Sequence, residues 1–248
     1  GIVGGSYGGY ATLAGLNFTP DTYAAGASIV GPSNLVTLLN SIPPYWASLK
    51  ATFALRLGDP DNPSDRTRLE AQSPLFSADQ ILAPLMVIQG ANDPRVKQAE
   101  SDQIVAALRD LDRPVEYLVA MDEGHGFRKE INSLAMAAAL ESFLAKHLGG
   151  RYQSEISPEL QAQLDTLTVD VDSVVAEASD DPVEVDPVVY DRYAGTGQEA
   201  FPLYPTSETR FYARVADIVI QFDVSSEETV SGLTLYQAGQ ELFAPRVN

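Results

Sequence analysis

The chain has 248 residues, 45% of them hydrophobic, with 34 acidic against 16 basic side chains and no cysteine. A formal net charge of −18 argues against nucleic-acid binding, which needs clustered Lys and Arg to meet phosphates. The missing cysteines exclude disulfides, thiol nucleophiles and zinc–thiolate sites, and no apolar run approaches the roughly 20 residues a membrane helix requires.

The first segment with chemical content is Gly4-Gly5-Ser6-Tyr7-Gly8-Gly9-Tyr10, a G-x-S-x-G pattern between the strand-like Ile2-Val3 and the helical run Ala11 to Leu16. A serine at a sharp strand-to-helix turn is held in a strained backbone with its hydroxyl exposed, and bulky neighbours forbid the turn. A phosphate-binding loop is the competing reading, but no Lys-Ser or Lys-Thr follows the glycines and the G-x-G-x-x-G spacing does not occur. Asn17-Phe18-Thr19 fits the short glycosylation pattern, which is commonplace. Residues 24–30 then read as a strand, and 35–40 and 47–57 as helical pieces. Asp59, Asp61 and Asp65 suggest a calcium loop, yet Pro63 stands where a ligand belongs and the glycine and distal glutamate of an EF-hand are missing. A solvated loop with turn and helix-cap residues is expected instead.

Leu85 to Gln89 is a short apolar run of the kind that forms a buried parallel strand. Asp93 follows in the loop Gly90-Ala91-Asn92-Asp93-Pro94-Arg95-Val96. A helix over 97–111 and a strand over 115–120 lead to Asp122-Glu123-Gly124-His125-Gly126-Phe127. The only other histidine, His147, falls at the end of a helix over 131–148, where a cation suits the dipole and Gly149-Gly150 read as a stop. Alternating strands and helices define the fold class as α/β, the second half of an α/β-hydrolase doubly wound parallel sheet with its site at the carboxyl ends of the strands. The chain order Ser6, Asp93, His125 is that of the α/β-hydrolases. In such a set, neutral His125 takes the Ser6 proton as the hydroxyl attacks a carbonyl, and Asp93 fixes the tautomer and stabilises the imidazolium. The backbone N–H of Tyr7 is one oxyanion donor; the second belongs to a loop after an earlier strand.

Together the three segments around Ser6, Asp93 and His125 resemble the catalytic domain of the prolyl oligopeptidase family of serine peptidases, S9, from about Gly1 to Gly150. The paired tyrosines of Ser-Tyr-Gly-Gly-Tyr set the pattern apart from lipases and simple esterases. The resemblance implies Ser6 as nucleophile, Asp93 and His125 as its partners, peptide bonds of short peptides as substrate, and no cofactor or metal. It also implies that Ser33, Leu35 and Val36, after the second strand, and Val96, beside the acid, line the pocket for the residue preceding the scissile bond. Tyr45 and Trp46 supply aromatic walls there or anchor a loop to the core. Family members carry an amino-terminal β-propeller and early hydrolase strands before the serine turn. The expected partner of this chain is therefore a missing amino-terminal segment that holds both.

After Gly150 the character changes, from 11 basic and 16 acidic residues to 5 basic and 18 acidic. Residues 151–187 read as an acidic connector, helical or loose, with Pro158 at a helix start and a proline-broken stretch at its end. Residues 188–248 read as a small antiparallel β module with strands over 209–215, 217–223 and 230–237. The module is expected to be structural or to serve docking. Two alternatives stand beside the peptidase reading: a carboxylic-ester hydrolase using the same three residues, and an inactive interaction fragment.

Overall fold

Strands that are apolar throughout need cover on both faces, and helices between parallel strands provide it. A computed structural model describes residues 1–42 and 47–176 and, as backbone, the segments 204–205, 210–213, 218–224, 230–237 and 240–245. Four strands, β1 (Ile2–Gly5), β2 (Gly26–Ile29), β3 (Leu85–Gly90) and β4 (Val115–Ala120), form a parallel sheet in the order β1-β2-β3-β4. Helix α1 (Tyr7–Phe18) joins β1 to β2, and α5 (Gln98–Asp110) joins β3 to β4. Between β2 and β3 lie α2 (Leu35–Asn40), α3 (Ala47–Arg56), α4 (Pro63–Gln72) and a 3-10 segment, Pro74–Gln80. After β4 come α6 (Glu130–Leu148) and α7 (Pro158–Leu167).

The two-residue period of the strands sorts their side chains into two cores. Leu85, Val87, Tyr117 and Val119 pack with Leu13 and Leu16 of α1 and Ile104, Val105 and Leu108 of α5. Met86, Ile88, Leu118 and Ala120 pack on the other side with Ala135, Ala139 and Phe143 of α6 and with Leu167 of α7. A sheet that advances one way with crossovers of one hand places its crossover helices on one face, and α1 and α5 indeed share one. The opposite face is left for α6, which follows the last strand.

Helix α4 stands where the sequence pattern predicts only a solvated loop for its first residues. Its only buried side chain is Leu69, so its hydrophobic pattern is nearly silent. Its start is conventional nonetheless: Asn62 Oδ1 accepts from Ser64 N and Asp65 N, and Pro63 opens the first turn. Two of the three carboxylates that suggested a calcium loop are engaged in the same turn. Asp59 Oδ1 accepts from Asp61 N, and Asp65 Oδ2 accepts from Asp59 N while Oδ1 pairs with Arg68.

The chain divides into two compact units, Gly1–Gly195 and Thr196–Asn248. The described part of the expected connector belongs to the first. Ser157 caps α7 and Pro158 opens it; Leu167 and Val174 are buried at 2% and 7% exposure. Thr168 bridges antiparallel to Leu118, Val169 N donates to Tyr117 O at 2.9 Å, and Arg109 Nη1 donates to Val171 O and Val174 O. Residues 157–174 therefore cover the outer edge of β4, where open backbone groups otherwise invite foreign pairing. In the second unit β5 (Tyr204–Pro205), β6 (Arg210–Ala213), β7 (Ile218–Val224), β8 (Val230–Gln237) and β9 (Gln240–Pro245) pair antiparallel in chain order. Pro205, which has no N–H to donate, lies on the edge strand. Among the described residues no helix is long and apolar enough to cross a membrane.

If residues 157–174 are built into the hydrolase unit, Leu167→Ala leaves a cavity and costs about 2–5 kcal/mol. The measurement is denaturant unfolding of the protein, and a loss under about 0.5 kcal/mol, as for a surface position, is the result a loose connector gives.

Candidate active site

Ser6 sits between β1 and α1 with φ 56° and ψ −119°, in the left-handed half of backbone space that a residue with a Cβ rarely enters. The strain, about 1–3 kcal/mol in comparable cases, is held by its surroundings. Ser6 N donates to Ile29 O at 2.8 Å, continuing the β1–β2 ladder, and Ser6 O accepts from Gly9 N and Tyr10 N in the first turn of α1. The turn is tight enough that a Cβ on Gly4 would lie 2.2 Å from Gly8 O, which is why the motif needs no side chain there.

Asp93 and His125 stand on the loops after β3 and β4, at the same edge of the sheet. His125 Nδ1 lies 2.7 Å from Asp93 Oδ2, and His125 Nε2 lies 2.9 Å from Ser6 Oγ. Since a carboxylate only accepts, Nδ1 carries the proton and Nε2 is left as the acceptor for the Ser6 hydroxyl. The Asp93 side chain is fully buried and that of His125 is 8% exposed. The second carboxylate oxygen closes the acid's own loop: Asp93 Oδ1 accepts from Arg95 N at 2.8 Å and Val96 N at 3.0 Å. The loop is anchored from below by Gln89, whose Nε2 donates to Gly90 O and Val96 O and whose Oε1 accepts from Ser101 Oγ.

The acid and histidine loops touch through backbone. A Cβ on Gly90 would lie 2.0 Å from Gly124 O, so the two chains approach as closely as they do only because Gly90 has none. Asn92 N donates to Glu123 O and Asn92 Nδ2 to Met121 O. Glu123, 4% exposed, turns inward and accepts from Lys129 N and Asn132 Nδ2. Its neighbour Asp122 accepts from Lys129 Nζ and Asn132 Nδ2, and the lysine bond holds its carboxyl below the usual range.

The four described residues expected to line a substrate pocket are all buried. Ser33 is tied to Glu100 through its N–H and its hydroxyl. Leu35 and Val36, at 4% and 3% exposure, pack with Leu39, Ile42 and Leu69, and Val96 is 4% exposed. Tyr45 and Trp46 lie outside the described residues. Tyr7 is 76% exposed beside the serine and stacks at a tilt on Tyr10. His147 is in the last turn of α6 against Phe143, away from the trio. Asn17 of the glycosylation pattern is 2% exposed and donates to Pro74 O and Ser77 O, so that pattern is inaccessible in the fold.

Glu100 gave no signal in the sequence. It is 2% exposed on α5, and its carboxylate accepts from Ser33 N at 3.0 Å and Asn34 N at 2.9 Å and meets Thr37 Oγ1. Burial pushes its pKa up to about 7 against the hydrogen bonds, which pull the other way. The geometry agrees: Thr37 has one hydroxyl proton and lies within reach of both Glu100 Oε1 and Asn34 O, and both bonds form together only when Glu100 carries a proton. A second strained position, Val30 with φ 45°, ends β2 just before this loop, and nothing in the sequence announces it.

A parallel sheet that presents Ser, Asp and His in that chain order at its carboxyl edge, with the serine on a left-handed strand-to-helix turn, is the architecture of an α/β-hydrolase. Residues 1–151 match the prolyl oligopeptidase family of S9 peptidases, and the chain belongs to that family. It is 59% identical over 150 residues to dipeptidyl aminopeptidase BIII of Pseudoxanthomonas mexicana, covering 60% of this chain and 22% of that protein. Dipeptidyl peptidase family member 6 of Caenorhabditis elegans is 53% identical over 153 residues, 61% of this chain and 21% of its own length. Among solved structures, a puromycin-hydrolysing peptidase of Mycobacterium tuberculosis superposes with a TM-score of 0.53 at 34% identity, covering 60% of this chain and 22% of that one. The chain thus spans about a fifth of the length of the relatives it matches.

The Glu100 pair of states sets a pH dependence with a definite sign. Its folded pKa, about 7, lies above the ordinary 4.5, so between those values the folded chain holds a proton that the unfolded chain has released. Stability therefore falls as pH rises through that window, by on the order of 3 kcal/mol from this group. Glu100→Gln keeps an acceptor for Ser33 and Asn34 and a donor for Thr37. Unfolding free energies measured from pH 4.5 to 8 are expected to lose this component of the slope in the variant.

Proposed function

We propose that the protein is a serine peptidase that hydrolyses peptide bonds of short peptides through an acyl-enzyme on Ser6. The observation that carries this reading is the continuous pair of hydrogen bonds from Asp93 through His125 to Ser6 on the strained turn. The names of the similar proteins, two dipeptidyl peptidases and a puromycin-hydrolysing peptidase, favour a peptide over a simple ester.

In this mechanism His125 Nε2 removes the hydroxyl proton as Ser6 Oγ attacks the scissile carbonyl, and the imidazolium returns it to the leaving amine. Asp93 holds the ring in the tautomer that leaves Nε2 free and balances the positive charge that develops. The Tyr7 N–H, in the first turn of α1 where amides lack an intrahelical acceptor, is one donor to the oxyanion. Water then attacks the acyl-enzyme by the same steps in reverse roles. The segment 33–36 and Val96 shape the pocket wall from behind, since their side chains are committed to packing. An amino-terminal segment of the longer protein supplies the second oxyanion donor and restricts access to short peptides. The β module expected over residues 188–248, of which Thr196–Asn248 forms a compact unit, serves structure or docking.

A fluorophosphonate carries an electrophilic phosphorus that a competent serine attacks. Stoichiometric labelling of the protein at Ser6 is expected, with none in Ser6→Ala. Asp93→Asn should slow labelling and peptide turnover by about 10³–10⁴-fold, because the amide favours the wrong tautomer. Labelling at another residue, or an unchanged rate in Asp93→Asn, contradicts the mechanism.

A further inference from the structure

The His125 loop is held by α7, a helix that lies beyond the 151 residues matched by the family. The link is Asn132, in the first turn of α6 and fully buried. Its Nδ2 donates to Asp122 Oδ1 at 3.0 Å and to Glu123 Oε1 at 2.9 Å, the two carboxylates that precede Gly124 and His125. Two acceptors on one side settle which way the amide points, since only its NH₂ group can serve both. The carbonyl oxygen then faces away from the loop and, being buried, needs a donor of its own. Gln163 Nε2, from α7, supplies it at 2.6 Å.

The link acts on the site from both sides. Asn132 fixes Glu123, whose carbonyl accepts from Asn92 N on the acid loop and whose carboxylate accepts from Lys129 N at the start of α6. Asn92 precedes Asp93 by one residue and Glu123 precedes His125 by two, so the bond between them couples the position of the carboxylate to that of the imidazole. Helix α7 is in turn seated by Leu160 and Leu164, packed on the core that holds Leu118 and Ala120 of β4. We infer that Gln163 is a positioning residue for the reaction: through Asn132 it holds the loop that aims His125 at Ser6.

This inference rests on the catalytic reading of the trio, and the test keeps the two separable. The intact protein is treated with a fluorophosphonate and the maximal inactivation rate and the half-saturating concentration are measured separately. Gln163→Met keeps length and bulk without a donor; Gln163→Lys restores a donor for the Asn132 carbonyl. The expected result for Gln163→Met is a loss of about three- to tenfold in maximal rate, the worth of one ordinary hydrogen bond. Half-saturation should be unchanged, and Gln163→Lys should recover most of the rate. In an Asn132→Ala background Gln163→Met should have no further effect, because its only route to the site is gone. A wild-type maximal rate in Gln163→Met, or an equal loss with and without Asn132, overturns the inference. Absence of Ser6 labelling in the unsubstituted protein overturns the catalytic reading instead.

Discussion

The Asp93 carboxylate is the constraint on which the site depends, because its two oxygens do different work that cannot be separated. Oδ1 closes the loop that carries it, through Arg95 N and Val96 N, and Oδ2 orients the ring that faces Ser6. A fully buried carboxylate without these partners would be costly by several kcal/mol; with three N–H groups around it the charge is solvated by the protein instead of by water. The loop is therefore stable only in the shape that also presents the acid to His125. Removing the ring or the loop closure leaves the other half with a buried charge it cannot satisfy.

The second buried carboxylate, Glu100, shows the opposite choice made with similar parts. It too accepts from two backbone amides, yet its third partner is a hydroxyl already committed toward Asn34 O, and burial outweighs the hydrogen bonds. In the proposed mechanism Asp93 faces an imidazole that takes up a proton, and its partners are all N–H donors. Glu100 instead faces two backbone amides and a hydroxyl, and holding the 33–37 loop needs only a shared proton. Asp93 lies on the β3–α5 connection and Glu100 in the first turn of α5, seven residues apart, so one crossover sets both the histidine and the 33–37 loop.

What could be read from the sequence is what is encoded locally. Short apolar runs announce strands, small residues around Ser6 announce a turn, and a lone histidine and a lone carboxylate after successive strands announce their meeting place, because parallel strands deliver their following loops to one edge. Ser6, Asp93 and His125 were legible for that reason. Glu100, Asn132 and Gln163 were not, since each draws its meaning from partners on other elements, 9 to 67 positions away, and each looks like an ordinary helix-surface residue. Helix α4 was hidden by its polarity, although its Asn62-Pro63 start was visible. The Leu35 and Val36 side chains show the limit of a resemblance: it places a segment near a site, but which side chains face inward is decided by packing against Leu39 and Leu69.

The edge of β4 explains why the hydrolase layer does not stop where the family match stops. With β4 last in the order β1-β2-β3-β4, one row of its N–H and C=O groups would face outward beside the loop that holds His125. An unprotected edge there would be free to breathe, and in the proposed mechanism a displacement of about an ångström in the His125 loop is enough to lose rate. The chain meets this with the antiparallel bridge at Thr168, the Val169–Tyr117 hydrogen bond and the Arg109 clamp on Val171 and Val174. The same stretch carries Gln163 to Asn132. Edge protection and loop placement are thus achieved by one piece of backbone, and a segment whose acidic composition suggests a spacer is held instead by the few apolar residues, Leu160, Leu164, Leu167 and Val174, that its charge obscures.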